Sequence, residues 1–350
     1  MPRRSLLSSG LTAAAALVMV AGGLGAMNSA SASDAPAAAV AASTAAAPAA
    51  VAPAAPPPGQ WIPVNPPVQG IPPSPDVPYA SHHEFQANCS VNHTAPDDPI
   101  VFPGLPGASH DHTFMGNDTT YAGSTLNSLR GGDTTCKVPG DLTAYWMPTM
   151  YNGDQEVRPI GEQVIYYKAG VTDFRTVRPF PPGLRYVVGD PGQSEQAFLD
   201  ATVEGWECGD SFFNSNIPDW CAPGSQLNVR YQAPSCWDGR HLDSPDHKAH
   251  MAYPVPVANN HDVCPASHPV AVPMIEFKMA FPVSGDTSRV RLASGEGYSF
   301  HYDVFNAWDE PVLARLVQHC INGGLQCDAR GFDQYKPERG AALNQNYELP

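Results

Sequence analysis

All eight cysteines of this chain lie between residues 89 and 327, and the first 88 residues contain none. An even number of cysteines is typical of a disulfide-braced domain when the chain leaves the cytoplasm. Pairing each cysteine with its neighbour along the chain predicts Cys89–Cys136, Cys208–Cys221, Cys236–Cys264 and Cys320–Cys327. Zinc ligation by thiolates is the alternative, but the chain has no Cys-x-x-Cys pair, the spacing that structural zinc sites favour.

The first 32 residues have the features of an export signal. Arg3 and Arg4 precede an apolar run from residue 11 to 24, and Ala30-Ser31-Ala32 offers a cleavage site of small residues. The run is shorter than the roughly 20 apolar residues of a spanning helix, so we expect no membrane span after cleavage. General secretory export and twin-arginine export both fit the arginine pair. We therefore expect a secreted protein, either extracellular or associated with the cell wall.

Composition divides the remaining chain into three parts. Residues 33–78 are dominated by alanine and proline and show no apolar periodicity, which predicts a disordered tether. Residues 79–340 are enough for one large hydrophobic core, and residues 341–350 form a tail. The formal net charge of -15 argues against nucleic acid as a partner, because binding it needs a broad basic surface.

The domain has the sequence pattern of a mainly β fold. Segments rich in β-branched and aromatic residues lie at 143–151, 162–168, 184–189, 226–232, 274–283 and 298–304. Glycine, proline and aspartate clusters separate them, as in a sandwich or barrel. One helix is predicted after Asp309, which can cap it, and Gly323 suits its end. We expect a single β-sandwich or jelly-roll-like domain with long Pro/Gly-rich loops and a C-terminal helix.

Two histidines lie close together in the segment His110-Asp111-His112. If the segment is extended, both imidazoles project to the same side, which suits a metal ion or paired proton transfer. Gly116 would let the chain turn soon afterwards. The alternative is an ordinary pair of loop histidines.

The run from Cys236 to Pro254 is unusually dense in ionisable residues. His247 and His250 would share one face of a helical turn or converge from a loop, and Asp246 could orient the imidazole of His247. The alternative is a solvated polar loop that a disulfide holds at one end.

A third candidate motif lies in the last predicted strand. His301 and Asp303 would share one face of the strand, so that an imidazole and a carboxylate are presented together. Such a pair suits general acid/base chemistry. A hydrogen bond between neighbouring strands on a wet face is the alternative.

Aromatic and polar residues near these motifs are candidates for binding a substrate. Tryptophan and tyrosine side chains can stack on sugar rings, although aromatic residues in β proteins more often lie in the core. The candidates are Arg130, Trp237, Asp238, Tyr253 and Trp308.

Four ordered motifs resemble a secreted bacterial and fungal family, catalogued as domain of unknown function nineteen ninety-six. The motifs are His110-x-His112-x-Phe114-x-Gly116, the run Cys236-Trp237-Asp238 through Asp246-His247-x-x-His250-x-x-Tyr253-Pro254, Cys264-Pro265-x-x-His268-Pro269, and His301-x-Asp303-x-x-Asn306-x-Trp308-Asp309. The resemblance spans roughly residues 80–330. It implies a secreted protein in a glycan setting, because some fungal members carry carbohydrate- or wall-binding modules, and it carries over no catalytic assignment.

These observations favour an extracellular enzyme that acts on a glycan, either a hydrolase or a lyase. The candidate catalytic residues are His112, Asp246, His247, His301 and Asp303. Zinc or copper could assist, with His110, His112, His247 and His250 as the candidate ligands. A non-catalytic protein that binds extracellular polysaccharide, cell-wall glycan or metal is the alternative. No Gly-x-Ser-x-Gly, His-Glu-x-x-His, phosphate-loop or dinucleotide motif occurs, which argues against those enzyme classes.

Overall fold

Short strands make up most of the regular structure. The computed structural model describes residues 59–201, 205–208, 213–333, 335–337 and 343–348. In chain order the strands are β1 (Ile62–Pro63), β2 (Glu84–Gln86), β3 (Cys89–Ala95), β4 (His112–Gly116), β5 (Ala144–Pro148), β6 (Met150–Asn152), β7 (Gln155–Val157), β8 (Glu162–Ala169), β9 (Arg185–Gly189), β10 (Gly205–Glu207), β11 (Trp220–Cys221), β12 (Leu227–Gln232), β13 (Cys236–Trp237), β14 (His241–Asp243), β15 (Met251–Ala252), β16 (Val255–Val257), β17 (His261–Val263), β18 (Val270–Ala271), β19 (Pro273–Phe281), β20 (Gly285–Asp286), β21 (Val290–Leu292), β22 (His301–Phe305) and β23 (Gln326–Cys327). The helices are α1 (Leu126–Arg130), α2 (Glu195–Ala201) and α3 (Glu310–Leu316). The predicted mainly β fold is confirmed.

One large sheet organises the domain. Its strand order is β10-β12-β19-β8-β3-β4-β5-β22-β9, and β2 pairs with β8 and β23 beside this path. The sheet curls so that its two halves face each other: Phe277 on β19 stacks on Tyr302 of β22 with 3.9 Å between the ring centroids. The Tyr302 hydroxyl also donates a hydrogen bond to the Ile275 carbonyl at 2.9 Å. The main hydrophobic core fills the space between the halves, as in a sandwich.

The disulfide pairs predicted from neighbouring cysteines are confirmed. The structure contains Cys89–Cys136, Cys208–Cys221, Cys236–Cys264 and Cys320–Cys327. Thiolate zinc ligation is therefore wrong, because each of the eight cysteines is already bonded to another sulfur.

The C-terminal helix forms where the sequence predicts it. The Asp309 carboxylate accepts a hydrogen bond from the Val312 amide at 3.1 Å and so caps α3. Leu313 and Leu316 point into the core, and residues 317–321 extend the helix as a π-helical turn. Nowhere in the described residues is a helix long and apolar enough to cross a membrane.

The structure places part of the predicted tether on the domain. Residues 1–58, which include the predicted signal and most of the tether, lie outside the described residues. From Gly59 onwards the chain follows the surface: Ile62 pairs with Asp243, and the Trp61 ring lies 4.5 Å from the ring of His241. Further along, the Ser74 amide donates to Asp173 at 2.8 Å. Val64, Val68 and Val77 are partly buried against the main core, and the average Ala/Pro composition of the segment does not predict these apolar contacts.

The outer face of one half of the sheet carries a second, smaller core. Phe114 on β4, Trp146 on β5 and Asp303 on β22 lie side by side in register, and Val187 on β9 pairs with Asp303. The residues of this second core are Ile100, Phe114, Leu129, Ala144, Trp146, Val187, Phe305 and Ala307. Because side chains alternate along a strand, His112 and His301 lie on the same outer face, two residues before Phe114 and Asp303.

Candidate functional site

Three histidines converge at one end of this outer face. The His110 and His112 rings are 4.3 Å apart, His110 and His301 are 5.1 Å apart, and His112 and His301 are 5.7 Å apart between centroids. One nitrogen from each ring lies within 4.8 Å of the others. His112 and His301 are buried, whereas His110 is partly buried. We call these three residues the histidine cluster.

Backbone carbonyls fix the orientation of two rings in the histidine cluster. Nδ1 of His112 lies 3.0 Å from the Asp97 carbonyl oxygen, and Nδ1 of His301 lies 2.9 Å from the Ser299 carbonyl oxygen. A carbonyl only accepts hydrogen bonds, so each Nδ1 carries the proton, and Nε2 of a neutral ring presents a lone pair. The buried Nε2 atoms of His110 and His112 have no hydrogen-bond partner among the described residues.

Burial keeps the histidine cluster neutral. Loss of hydration lowers the pKa of His110 to about 4 and, together with the nearby His110, lowers the pKa of His301 to about 3. Burial also takes the pKa of His112 well below its ordinary value, and the two neighbouring imidazoles add to this effect. Three neutral imidazoles at pH 7 have lone pairs with which they can bind a metal ion.

Two buried carboxylates adjoin the histidine cluster. One oxygen each of Asp98 and Asp303 lies within 4.8 Å of the other and of a His112 nitrogen. Burial raises the pKa of Asp98 to about 6. Two hydrogen bonds of 2.8 Å from the amides of Ile100 and Val101 lower the pKa and so oppose this rise. Burial and the nearby Asp98 charge raise the pKa of Asp303 well above its usual range. Neither oxygen of Asp303 has a hydrogen-bond partner among the described residues.

A second constellation centres on Asp243. Its Oδ2 lies 3.0 Å from Nε of Arg185, and its Oδ1 lies 2.8 Å from Nδ1 of His247. His247 has a φ of 57°, a left-handed conformation that is uncommon for a residue with a side chain. Its carbonyl accepts from the Val187 amide at 3.0 Å, which ties this loop to the edge strand β9. Asp243, and not Asp246, therefore orients the imidazole of His247.

His247 and His250 do not belong to the group of nitrogen atoms that His110, His112 and His301 form. His250 contacts the Ser244 hydroxyl at 2.8 Å through Nδ1 and the Arg185 carbonyl at 3.0 Å through Nε2. Asp246 accepts from the Ser244 hydroxyl and from the amides of residues 248 and 249, and so closes the turn. Because both ring nitrogens of His250 are engaged, it has no free nitrogen for a metal ion.

A cavity of about 450 Å³ lies beside the second constellation. Its lining includes the polar residues Arg185, Asp243 and His247 and the apolar residues Ile100 and Leu105. The loop that carries Asp98 continues directly into Pro99 and Ile100 of the cavity wall. Burial raises the pKa of the Asp98 carboxyl, and the electrostatic interaction with His247 opposes this rise. The cavity and the buried carboxylates are therefore neighbours.

Residues 98–308 match the sequence model of a family described as Domain of unknown function (DUF1996), which is more than half of the chain. The chain belongs to this family. The match confirms the resemblance carried by the four motifs, and it begins at Asp98 and includes the whole histidine cluster. No curated protein matches the chain, and no solved structure does.

Most of the substrate-binding candidates in this DUF1996 chain have structural partners. Trp237 and Trp308 are each 1% exposed; Nε1 of Trp237 donates to the His241 carbonyl and Nε1 of Trp308 donates to the Tyr167 hydroxyl. Arg130 forms a 2.8 Å ion pair with Glu310. Both tryptophans lie in the core, where they cannot stack on a sugar.

Two further candidates in the polar run have local roles or partial exposure. Asp238 accepts from the amides of Arg240 and His241, and one of its oxygens lies 2.6 Å from Nδ1 of His241. The Tyr253 hydroxyl donates to the Gln232 carbonyl at 2.9 Å, while 44% of the residue remains exposed. Of the aromatic candidates, only Tyr253 presents a surface to solvent.

Sequence reasoning missed three residues of the site in this DUF1996 chain. Asp98 stands in an Asp-Asp-Pro segment that resembles an ordinary turn, and Arg185 lies at the start of an apolar strand. Asp243 belongs to the polar run, but its distance of four residues from His247 was a weaker signal than the adjacent Asp246. Pairing between distant strands, which no local pattern contains, brings them together.

Proposed function

We propose that this protein is an exported enzyme that cleaves an extracellular glycan, as a hydrolase or a lyase, at the buried group formed by the histidine cluster with Asp98 and Asp303. The observation that carries the proposal is the concentration of unsatisfied polar atoms. Two imidazole nitrogens and both oxygens of Asp303 are buried with no hydrogen-bond partner in the part of the chain that the structure describes. Each such atom costs roughly 1–3 kcal/mol, which a purely structural role does not offset.

The two carboxylates favour the hydrolase over the lyase. Retaining glycoside hydrolases place their two carboxyl groups about 5 Å apart, one as nucleophile and one as acid. Asp98 and Asp303 bring one oxygen each within 4.8 Å. In this proposal Asp303, whose oxygens are unpartnered, attacks or protonates the sugar, and Asp98 takes the complementary role.

The cavity supports a sugar as the substrate. A sugar ring has apolar C–H faces and hydroxyl groups around its edge. The cavity combines an apolar wall, which includes Ile100 and Leu105, with the hydrogen-bonding side chains of Arg185, Asp243 and His247. Export is supported by the four disulfides, because such bonds persist in oxidising compartments.

A non-catalytic protein that binds polysaccharide is less well supported. Such proteins use a flat, exposed strip of aromatic residues, but Trp237 and Trp308 are almost fully buried. Binding at the surface also gives no reason to remove five ionisable groups from water at a cost in stability.

The test is a screen for products from polysaccharides. Mature protein, with and without added zinc or copper, is incubated with neutral, amino-sugar and uronate-containing polysaccharides. New reducing ends identify a hydrolase, and unsaturated sugar ends identify a lyase. We expect Asp303→Asn to abolish release and Asp154→Asn, at an exposed turn, to leave it unchanged. Wild-type protein that releases nothing from any of these polysaccharides contradicts the proposal.

A further inference from the structure

We infer that His110, His112 and His301 together bind one divalent transition-metal ion, zinc or copper, through ring nitrogens that the fold has oriented for it. The inference rests on the geometry of the histidine cluster alone and does not require that the protein be an enzyme. It also differs from the ligand set that sequence spacing suggests, which includes His247 and His250.

The ring nitrogens of the histidine cluster lie close together. One nitrogen of each ring lies within 4.8 Å of the other two. In a tetrahedral zinc site with Zn–N bonds of about 2.0–2.1 Å, the nitrogens are roughly 3.4 Å apart. The separation observed in the histidine cluster therefore exceeds the one that a shared ion requires by at most about 1.4 Å.

Two rings of the histidine cluster are oriented in the way that metal-binding histidines usually are. Histidine ligands of metal ions almost always donate their other ring N–H to a carbonyl or carboxylate, which fixes the tautomer and the ring direction. His112 and His301 do this through the carbonyls of Asp97 and Ser299, at 3.0 and 2.9 Å. The Asp97 carbonyl is itself on a braced loop, because the Asp97 carboxylate accepts from the amides of Gly107 and Ala122.

The ring nitrogens that would bind the metal ion are buried and unpartnered among the described residues in two of the three histidines. Nε2 of His112 belongs to a residue with no exposed surface, and neither it nor Nε2 of His110 has a hydrogen-bond partner among the described residues. The segment before β4 is held in place, because the Asp111 carboxylate accepts from the Tyr151 hydroxyl at 2.6 Å. A metal ion would satisfy both nitrogens at once.

The donor set selects the class of metal. Imidazole nitrogens suit zinc, copper and nickel, whereas calcium and magnesium prefer sites built from oxygen atoms. Three protein ligands leave a fourth position open, as in catalytic zinc sites. Asp98 and Asp303 lie beside His112, so a water molecule in the fourth position could donate a hydrogen bond to an unpartnered oxygen of Asp303.

Of the other groups of potential ligands in the described residues, one consists of Asp98, His112 and Asp303 and so shares His112 with the histidine cluster. Two of them contain cysteines that are already joined, Cys89–Cys136 and Cys320–Cys327. The nitrogens of His250 are both engaged, and Nδ1 of His247 is held by Asp243.

The experiment measures metal affinity directly. Untagged mature protein is stripped with a chelator and titrated with zinc or copper in competition with a chromophoric chelator. We expect one equivalent to bind, and we expect His301→Ala to weaken binding by at least about 100-fold, the upper range for loss of an outer-shell partner. His82→Ala, at an exposed histidine, is the matched control and should bind like wild type.

A second measurement needs no variant and so does not depend on the folding of His301→Ala. The electron paramagnetic resonance spectrum of the wild-type copper complex should show coupling to several imidazole nitrogens. Substoichiometric binding by wild type, or unchanged affinity in a folded His301→Ala variant, overturns the inference. If the stripped protein cleaves glycan, the proposed enzyme function holds and does not need the metal. If the protein binds one equivalent of metal but cleaves no glycan, the metal site holds and the enzyme function is contradicted.

Discussion

Asp141 gives the stability of this protein a strong dependence on pH. The residue has no exposed surface, and burial raises the pKa of its carboxyl to about 7 from an ordinary value of 3.8. Its oxygens accept from the Tyr145 hydroxyl at 2.8 Å and the Thr143 amide at 3.1 Å, which only partly offset the lost hydration. The Tyr145 and Tyr167 hydroxyls lie 2.5 Å apart and continue the network.

Proton linkage gives the sign and the size of the effect of Asp141 on the free energy of unfolding as the pH changes. The folded protein holds the Asp141 proton more tightly than the unfolded chain, so the group's contribution is fully present below about pH 4. It is lost as the pH rises through the folded pKa of about 7. A difference of about 3 pKa units corresponds to about 4 kcal/mol in total, of which roughly 2–3 kcal/mol is lost between pH 5 and pH 8.

The assay is urea unfolding of chelator-treated protein, with the disulfides intact, at pH 5 and pH 8. Asp141→Asn resembles the protonated acid, because its amide can donate to the Tyr145 oxygen while its carbonyl accepts from the Thr143 amide. We expect the loss in free energy of unfolding from pH 5 to pH 8 to be roughly 2–3 kcal/mol smaller in this variant than in wild type. Asp154→Asn should behave as wild type. The reasoning is refuted if wild type and Asp141→Asn show the same change with pH.

Two further substitutions test the sheet that supports the site. Lys168→Met should lower the free energy of unfolding by roughly 1.5–3 kcal/mol in urea titrations, because it removes the cation 3.1 Å from Glu276, which is 1% exposed and keeps Arg230 at 3.7 Å. Lys137→Met, which breaks an exposed ion pair, should change it by less than about 1 kcal/mol, and equal losses would contradict this account. Gly116→Ala should lower the melting temperature, because φ is +75° and the new Cβ would lie 2.4 Å from the Thr143 carbonyl oxygen. An unchanged melting temperature would show that β4 tolerates a side chain there.

Local rules were enough to predict the parts of the site that depend on neighbouring residues. Alternation along a strand placed His301 and Asp303 on one face, and the same spacing placed the His110 and His112 rings together. The sequence also predicted Asp309 as the N-cap of α3, because capping depends on only a few adjacent residues.

Convergence between distant segments could not be read from local patterns. The sequence favoured His247 and His250 as metal ligands because they stand three residues apart. In the structure, His301 instead approaches His110 and His112, since β4 and β22 are both neighbours of β5. That strand order depends on pairings across more than 150 residues of chain, and the spacing of histidines carries no information about it.

The cost of the buried polar group is the strongest reason to assign it a function. The same outer face elsewhere packs Phe114, Trp146 and Phe305 into a dry core, so the fold can fill this layer with apolar side chains. At one end it buries His112 and Asp303 instead, and among the described residues Nε2 of His112 and both oxygens of Asp303 have no hydrogen-bond partner. Replacing buried ionisable groups with apolar residues of similar volume is often neutral or stabilising, so stability alone gives no reason to keep them. Sites that bind or react are where proteins carry such costs, because the unsatisfied atoms are the ones available to a ligand.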